Sequence, residues 1–157
     1  MTPKRGSRPD LPPGWRAYES GEIRKPIPLR APGDAPRLLV VDDDAGIRRS
    51  LERLLGVTYR VTIAEPQQAL ELIRAGETFD VILSDLRMPV MDGVELFGAI
   101  EAAAPDLARR IIFMTGGADR AALTFLAERG LPVLGKPFEP ELLHALVRAV
   151  LDREAAR

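Results

Sequence analysis

Residues 80–93 of the chain, DVILSDLRMPVMDG, contain the pattern that decides the fold. A short apolar run ends abruptly at Asp85, and a turn rich in Pro, Asp and Gly follows before a helical pattern begins. A continuous apolar run of this length is typical of a strand that is buried on both faces of a sheet. The sequence therefore predicts that Asp85 lies at the carboxyl end of a buried strand.

The same alternation of apolar runs and helical patterns fills residues 37–157. Besides the run at 81–83, apolar runs lie at 38–41, 111–114 and 133–134, and the alternating pattern at 59–63 suggests a strand nearer the sheet edge. Asp44 and Asp92 stand where helix N-caps are expected, and Pro105 marks the end of the third helix. Five strands that alternate with five helices predict an α/β fold, a doubly wound parallel sheet with helices on both faces.

Residues 1–36 form a contrasting region with a net charge of +3 and eight of the fourteen prolines, whereas residues 37–157 carry a net charge of −4. So many prolines exclude a long helix or a central strand. We expect a Pro-rich disordered leader at 1–36, because its few apolar residues cannot offset the entropy of ordering it. Whether Trp15 and Tyr18 are incidental there, pack on the folded domain or bind a partner stays open.

The composition excludes several classes of protein. A net charge of −1 gives no case for nucleic acid or a membrane surface as a partner, and the absence of cysteine rules out disulfides, thiolate metal sites and a Cys nucleophile. No apolar run approaches the ~20 residues that a membrane span needs, and no signal-peptide pattern opens the chain. We expect a cytoplasmic protein, with Arg48-Arg49 and Arg109-Arg110 on solvated faces and His144 on a helix surface or semi-buried.

Polar side chains follow four of the predicted strands. Asp42 and Asp43 follow the first strand, Asp85 the third, Thr115 the fourth and Lys136 the fifth. Because the carboxyl ends of parallel strands share one edge of a sheet, these side chains should meet in one shallow pocket. Clustered carboxylates repel one another unless a cation compensates, and oxygen ligands without His or Cys favour Mg²⁺ first and Mn²⁺ second. One carboxylate is then free to accept a phosphoryl group.

Residues 37–152 resemble a CheY-like receiver domain, the phospho-accepting module of two-component signalling. The segments that carry the resemblance are residues 38–44 (LLVVDDD), 85–93 (DLRMPVMDG), 114–116 (MTG) and 136–138 (KPF), in the order that the family has them. The resemblance implies a flavodoxin-like (βα)5 fold with strand order 2-1-3-4-5. The sequence of residues 131–138, together with Thr115-Gly116-Gly117, is most similar to the receivers of hybrid histidine kinases.

The resemblance also implies a role for each carboxylate of the pocket. Asp85 would be the phosphorylated residue and would share in binding the metal ion. Asp43 would bind Mg²⁺ directly, and Asp42 would bind it mainly through water. The backbone carbonyl of Arg87 would supply a further ligand.

The residues at the remaining strand ends would respond to the phosphoryl group and stabilise it. Thr115 would be the switch hydroxyl that moves toward it, and Lys136 would bridge to it, with the Lys136–Pro137 bond in the cis form. Many receivers carry Tyr or Phe three residues before this lysine, and the ring rotates on phosphorylation. Here that position is Val133, so the aromatic half of the usual switch is missing.

A receiver is a signalling phosphoacceptor that assists its own phosphorylation and dephosphorylation, and it is not an enzyme in the ordinary sense. Its donor would be a histidine kinase or a histidine phosphotransfer protein, and its output would pass to an unknown downstream protein. No helix-turn-helix pattern follows residue 152, so we expect no direct DNA binding. A homodimer stays open, as does a chain that is one part of a longer protein.

Two other functions are compatible with parts of the pattern. A phosphohydrolase of the haloacid dehalogenase superfamily would use Asp42 as nucleophile and Asp44 as acid. No acidic pair follows Lys136 on a further strand, however, and Asp85 would have no role. A degenerate receiver would bind partners without phosphorylation; the complete set of site residues argues against it, while Val133 leaves it open.

Overall fold

The computed structural model describes residues 34–117 and 119–157, so the leader predicted at 1–36 lies almost wholly outside the described residues. The strands are β1 (Arg37–Val41), β2 (Arg60–Ala64), β3 (Val81–Asp85), β4 (Ile111–Thr115) and β5 (Val133–Gly135). The helices are α1 (Ala45–Leu55), α2 (Pro66–Arg74), α3 (Gly93–Ala103), α4 (Pro105–Ala108), α5 (Arg120–Glu128) and α6 (Pro140–Ala155).

The five strands form one parallel sheet in the order β2-β1-β3-β4-β5, which confirms the predicted topology. In the register, Leu39 of β1 lies between Thr62 of β2 and Ile82 of β3. The chain first builds the sheet outward from β1 to β2 and then returns to add β3 on the other side of β1. The strand order therefore reverses between β1 and β3, where open sheets of this kind leave a crevice at their carboxyl ends.

The sheet separates two apolar cores, because successive strand residues point to opposite faces. Leu39 and Ile82 belong to the core that α2, α3 and α5 cover, whereas Leu38 and Leu83 belong to the core that α1 and α6 cover. All four side chains are fully buried, and each such burial contributes roughly 1.5–3 kcal/mol. These two cores fix the central strands, and with them the positions of the strand ends.

The number of helices was predicted wrongly, because the structure has six helices in its described part where the sequence indicated five. The third helix does end before Pro105, as expected. Ala104 takes a non-helical backbone (φ −150°, ψ 79°), since the following proline disfavours the helical conformation, and Pro105 then begins the short helix α4. Four residues are too few to show a helical period in the sequence.

The predicted helix N-caps are confirmed. The Asp44 side chain accepts hydrogen bonds from the backbone of Gly46 and Ile47, and the Asp92 side chain accepts one from Glu95. These bonds satisfy backbone donors that the first helical turn leaves unpaired. Of the helices that the structure describes, none combines the length and the apolarity needed to cross a membrane.

Candidate functional site

Asp42 directly follows β1 and is completely buried. Its Oδ1 accepts a hydrogen bond from the Asp44 backbone N–H at 2.9 Å. Its Oδ2 is also buried, and among the described residues it accepts no hydrogen bond. A buried carboxylate oxygen without a donor is costly, so this atom points to a bound group that the protein atoms alone do not supply.

Arg48 of α1 holds the end of β1 from the side. Its guanidinium donates to the Asp42 carbonyl oxygen at 2.7 Å and lies 3.9 Å from a carboxylate oxygen of Glu65. Only 14% of its side chain is exposed, so the prediction that Arg48 lies on a solvated face was wrong. Arg110 departs from the same prediction, since its Nε lies 3.4 Å from Glu154 and its side chain is 29% exposed.

Asp85 ends β3 and is half-buried, and a tight turn follows it. The backbone N–H of Leu86 donates to Met114 on β4 at 2.8 Å, and the N–H of Gly93 donates back to Leu86 at 2.8 Å. A Cβ at Gly93 would lie 2.9 Å from the Asp85 carbonyl oxygen, so the chain needs glycine at this close approach. The turn thus fixes the direction in which Asp85 leaves the strand.

Lys136 pairs with the carboxylates of Asp42 and Asp85, at the carboxyl ends of β1 and β3. Its Nζ lies 3.4 Å from Asp85 Oδ2 and 3.8 Å from Asp42 Oδ2. The Lys136 backbone N–H donates to the Thr115 carbonyl at 2.7 Å, which fastens the end of β5 to that of β4. The Lys136–Pro137 bond is cis, as the resemblance implied.

Thr115 and Arg87 stand at the edge of the cluster. The Thr115 hydroxyl donates to the Gly117 carbonyl at 2.7 Å, which turns it toward its own loop. The Arg87 backbone N–H lies 3.5 Å from Asp85 Oδ1, and its guanidinium carbon lies 3.8 Å from where a Cβ on Gly117 would be. The Arg87 carbonyl as a metal ligand stays a prediction.

Val133 and His144 both lie outside the carboxylate cluster. Val133, at the position where many receivers carry an aromatic ring, is half-buried in β5 beside Phe113 of β4. His144 is half-buried in α6, as expected, and its ring stacks on Tyr59 with 6.3 Å between centroids. His144 therefore packs within the fold, away from the strand ends.

The cluster is electrostatically strained without a cation. Carboxylate oxygens of Asp42, Asp43 and Asp85 lie within 4.8 Å of one another. Burial is the main cause that raises the pKa of Asp42 from 3.8 to about 6, with repulsion from Asp85 adding to it. The hydrogen bond from Asp44 and the charge of Lys136 act in the opposite direction and only partly compensate.

The residues present fit a hard divalent cation. Three carboxylates supply oxygen ligands within one small volume, and one of them carries the buried oxygen that lacks a hydrogen bond. Carboxylate ligands without His or thiolate suit Mg²⁺ or Mn²⁺ and not Zn²⁺. Asp42, Asp43 and Asp85 are therefore the residues that would hold such an ion.

The sequence matches the family model of the response regulator receiver domain over residues 38–148. Among curated proteins, it is 34% identical to the transcriptional regulatory protein FixJ of Bradyrhizobium diazoefficiens over 116 residues, which are 73% of this chain and 56% of FixJ. It is 40% identical to the DNA-binding transcriptional regulator NtrC of Escherichia coli over 117 residues, 72% of this chain and 24% of NtrC. The chain thus matches only part of these relatives.

The fold has solved counterparts. One is a CheY-like response regulator receiver domain protein from Methanospirillum hungatei, with a TM-score of 0.70, 30% identity, and coverage of 78% of this chain and 98% of that one. A receiver domain from Clostridium thermocellum gives the same TM-score at 23% identity, covering 77% of this chain and 98% of the other, which supports the fold alone. The chain belongs to the family of response regulator receiver domains of two-component systems.

Proposed function

We propose that the chain accepts a phosphoryl group on Asp85 from a phosphohistidine and passes the signal on through protein contacts. The observation that carries the proposal is the convergence of Asp42, Asp43 and Lys136 around the half-buried carboxylate of Asp85. An acceptor needs one free carboxylate beside positive charge that neutralises the incoming group. Asp85 meets both conditions at the open edge of the sheet.

In the transfer, a carboxylate oxygen of Asp85 attacks the phosphorus atom and the phosphorus–nitrogen bond of the donor breaks. The electron pair of that bond returns to the donor imidazole, and Asp85 becomes an acyl phosphate. Lys136, 3.4 Å from Asp85, is placed to neutralise a phosphoryl oxygen as a point charge. A bound Mg²⁺ would supply further neutralisation of the charge on the transferred group.

Thr115 would respond after the transfer. In the described state its hydroxyl donates to the Gly117 carbonyl. A phosphoryl oxygen on Asp85 is a stronger, charged acceptor, so the hydroxyl would leave Gly117 and donate to it. The loop after β4 would move with it, which gives the signal a path that does not require an aromatic ring at Val133.

The partners belong to the same proposal. The donor is a histidine kinase or a histidine phosphotransfer protein in the cytoplasm. The receiver accepts the phosphoryl group and does not turn over a substrate as an enzyme does. FixJ and NtrC are named as transcriptional regulators, but the match spans 56% and 24% of their lengths. In this proposal the described domain passes its output to another protein.

A mass measurement on the full chain tests the function. After incubation with Mg²⁺ and acetyl phosphate, we expect a mass gain of one phosphoryl group that is stable in acid and labile in base. Asp85→Ala should abolish the gain, whereas Asp92→Asn, a matched change on the same turn that keeps a helix cap, should retain it. Turnover of p-nitrophenyl phosphate would instead favour a hydrolase, and no adduct with any donor would favour a degenerate receiver.

A further inference from the structure

A groove of about 630 Å³ lies next to the site, between the loop that leaves Asp85 and the start of α5. We call it the α5 groove. Its apolar lining includes Met88 and Pro89 from the loop, Val94 from α3, and Ala122 and Phe125 from α5. This volume lies within the range of roughly 300–1,000 Å³ that is usual for ligand pockets, so it is large enough for an aromatic side chain with its neighbours.

The floor of the groove is held in place by contacts outside it. The Phe125 ring meets Phe97 of α3 edge to face, with 5.9 Å between centroids. The Arg129 guanidinium lies 4.9 Å from the Phe125 ring and pairs with Glu101 at 3.0 Å. Because these contacts fix the ring before anything binds, the groove is preorganised for an apolar occupant.

The rim of the groove is charged. Asp92 and Asp119 are both exposed and both line it, and each caps the helix that it precedes. Arg87 lies on the loop wall, where its guanidinium can stack on an aromatic ring. Val90 on the same loop is 78% exposed. These features suit an occupant that combines an aromatic ring with a basic side chain.

The chain itself carries such an occupant before Asp34. Residues 1–33 contain seven Lys or Arg and three Asp or Glu, a net charge of +4, and their segment Leu11–Tyr18 reads LPPGWRAY. Trp15 offers the large apolar surface, and Arg16 follows it directly. Arg16 is opposite in charge to Asp92 and Asp119 on the rim, which favours the encounter.

The length of chain allows this contact. The leader joins the domain at the amino end of β1, which is the opposite edge of the sheet from the groove. A five-residue strand spans ~17 Å, whereas the fifteen residues between Tyr18 and Asp34 can extend to ~50 Å. The segment is therefore long enough to reach the α5 groove of its own domain.

We propose that Leu11–Tyr18 docks in the α5 groove of the same chain, with the Trp15 ring over Phe125 and Arg16 at the acidic rim. The docked segment would contact the loop that follows Asp85, because residues of that loop line the groove. The proposal does not depend on phosphorylation of Asp85, because the groove, its charges and the segment exist without it.

Trp15 is the single tryptophan of the chain, so its fluorescence reports on this segment alone. In the full chain we expect emission at shorter wavelength and weaker quenching by acrylamide than in the same chain unfolded in urea. Ala122→Arg, which fills the groove and repels Arg16, should shift the emission to the red and increase quenching. Ala121→Arg, at an exposed position on the rim, should do the same with less risk to folding.

The matched control is Ala127→Arg, an exposed position on the same helix that does not line the groove, and it should leave the emission unchanged. Circular dichroism establishes that each variant is folded. The proposal is overturned if the emission of the wild-type chain already equals that of the unfolded chain. It is also overturned if folded Ala121→Arg and Ala122→Arg both emit as the wild type does.

A second measurement identifies the chain that supplies the segment. The protein has no cysteine, so Ala121→Cys carries a single nitroxide label. In dilute solution we expect the label to broaden the indole N–H signal of Trp15 in its own chain, while a label on Ala127→Cys broadens it less. If the label broadens the Trp15 signal only when label and Trp15 are on different chains of a mixture, the segment docks on a second copy. That result would contradict docking within one chain.

Discussion

At the residue scale, some interactions oppose the negative charge of Asp42 and others favour it, and the site depends on their balance. Its carboxylate is buried at the end of β1, with one oxygen hydrogen-bonded to Asp44 and the other without a hydrogen bond from the described residues. Burial and two neighbouring carboxylates oppose its charge, while Lys136 at 3.8 Å favours it. We therefore expect Asp42 to lower the stability of the metal-free protein and to favour the binding of a cation.

Asp42→Asn should therefore stabilise the metal-free protein. Asn keeps an oxygen for the Asp44 N–H and removes the buried charge, and a shift from 3.8 to about 6 corresponds to about 1–3 kcal/mol above pH 7. Urea unfolding in the presence of EDTA measures the change. A variant less stable than the wild type would show that attraction to Lys136 outweighs burial.

The stability difference between Asp42→Asn and the wild type should also depend on pH. A pKa of Asp42 raised to about 6 in the folded state means that the folded protein holds a proton which the unfolded chain releases near pH 4. The contribution of Asp42 to the free energy of unfolding therefore falls as the pH rises from about 4 to about 6. Unfolding titrations should show the advantage of the variant growing across this window and constant above it. A difference that does not change with pH would contradict the raised pKa.

The position of a site residue could be predicted from the sequence where the fold alone determines that position. Asp42, Asp85, Thr115 and Lys136 could be placed at one edge because parallel strands bring their carboxyl ends together. Arg48 could not, because a long side chain that returns to a strand end depends on how α1 packs on the sheet. The spacing of residues in the sequence does not reveal how α1 packs on the sheet.

At the element scale, the turn between β3 and α3 decides where Asp85 points. Gly93 closes this turn through its hydrogen bond to Leu86, and a Cβ there would meet the Asp85 carbonyl and the Leu86 Cα at 2.9 Å each. Both atoms belong to the backbone, so they cannot rotate away. The geometry of this turn and the direction of the Asp85 side chain are thus linked.

Gly93→Ala should destabilise the protein by about 1–3 kcal/mol and reduce phosphorylation of Asp85, since the backbone must shift to admit the methyl group. Gly98→Ala is the matched control in the same helix. Its Cβ would meet nothing within 4 Å, and the change should stabilise the helix by about 0.5–1 kcal/mol. Thermal unfolding of the two variants side by side checks the pair, and equal stabilities would contradict the account of the turn.

The elements themselves were predictable except where they are short or depend on distant partners. The long periodic helices and the apolar strands had clear patterns, whereas α4 has four residues and no period. The α5 groove was also missed, because its walls come from residues 86–94 and 119–125, which only the folded sheet brings together.

At the scale of the whole molecule, a cation that binds the Asp42, Asp43 and Asp85 cluster would couple its binding to folding. Asp42, Asp43 and Asp85 come from two strand ends, and they approach within 4.8 Å only when β1 and β3 pair. An ion that binds these carboxylates together therefore binds the folded chain and not the unfolded one. The unfolding equilibrium becomes a measure of the site.

Mg²⁺ should raise the free energy of unfolding by an amount that grows with the logarithm of its concentration, ~2.7 kcal/mol at a hundred times its dissociation constant. Asp43→Asn, at an exposed ligand position, should lose most of this gain without loss of fold, whereas Asp92→Asn should keep it. Urea unfolding with and without Mg²⁺ at constant ionic strength makes the comparison. An equal gain in all three proteins would indicate a general salt effect and no site.

The central claim is that four strand ends build one Mg²⁺-dependent acceptor around Asp85. The most direct measurement is a peptide map of the full chain after reaction with phosphoramidate, a donor with a phosphorus–nitrogen bond, in Mg²⁺ or in EDTA. We predict one phosphorylated peptide, containing Asp85, in Mg²⁺ and none in EDTA. A phosphoryl group on Asp42, or the same labelling of Asp85 in EDTA, would contradict the account.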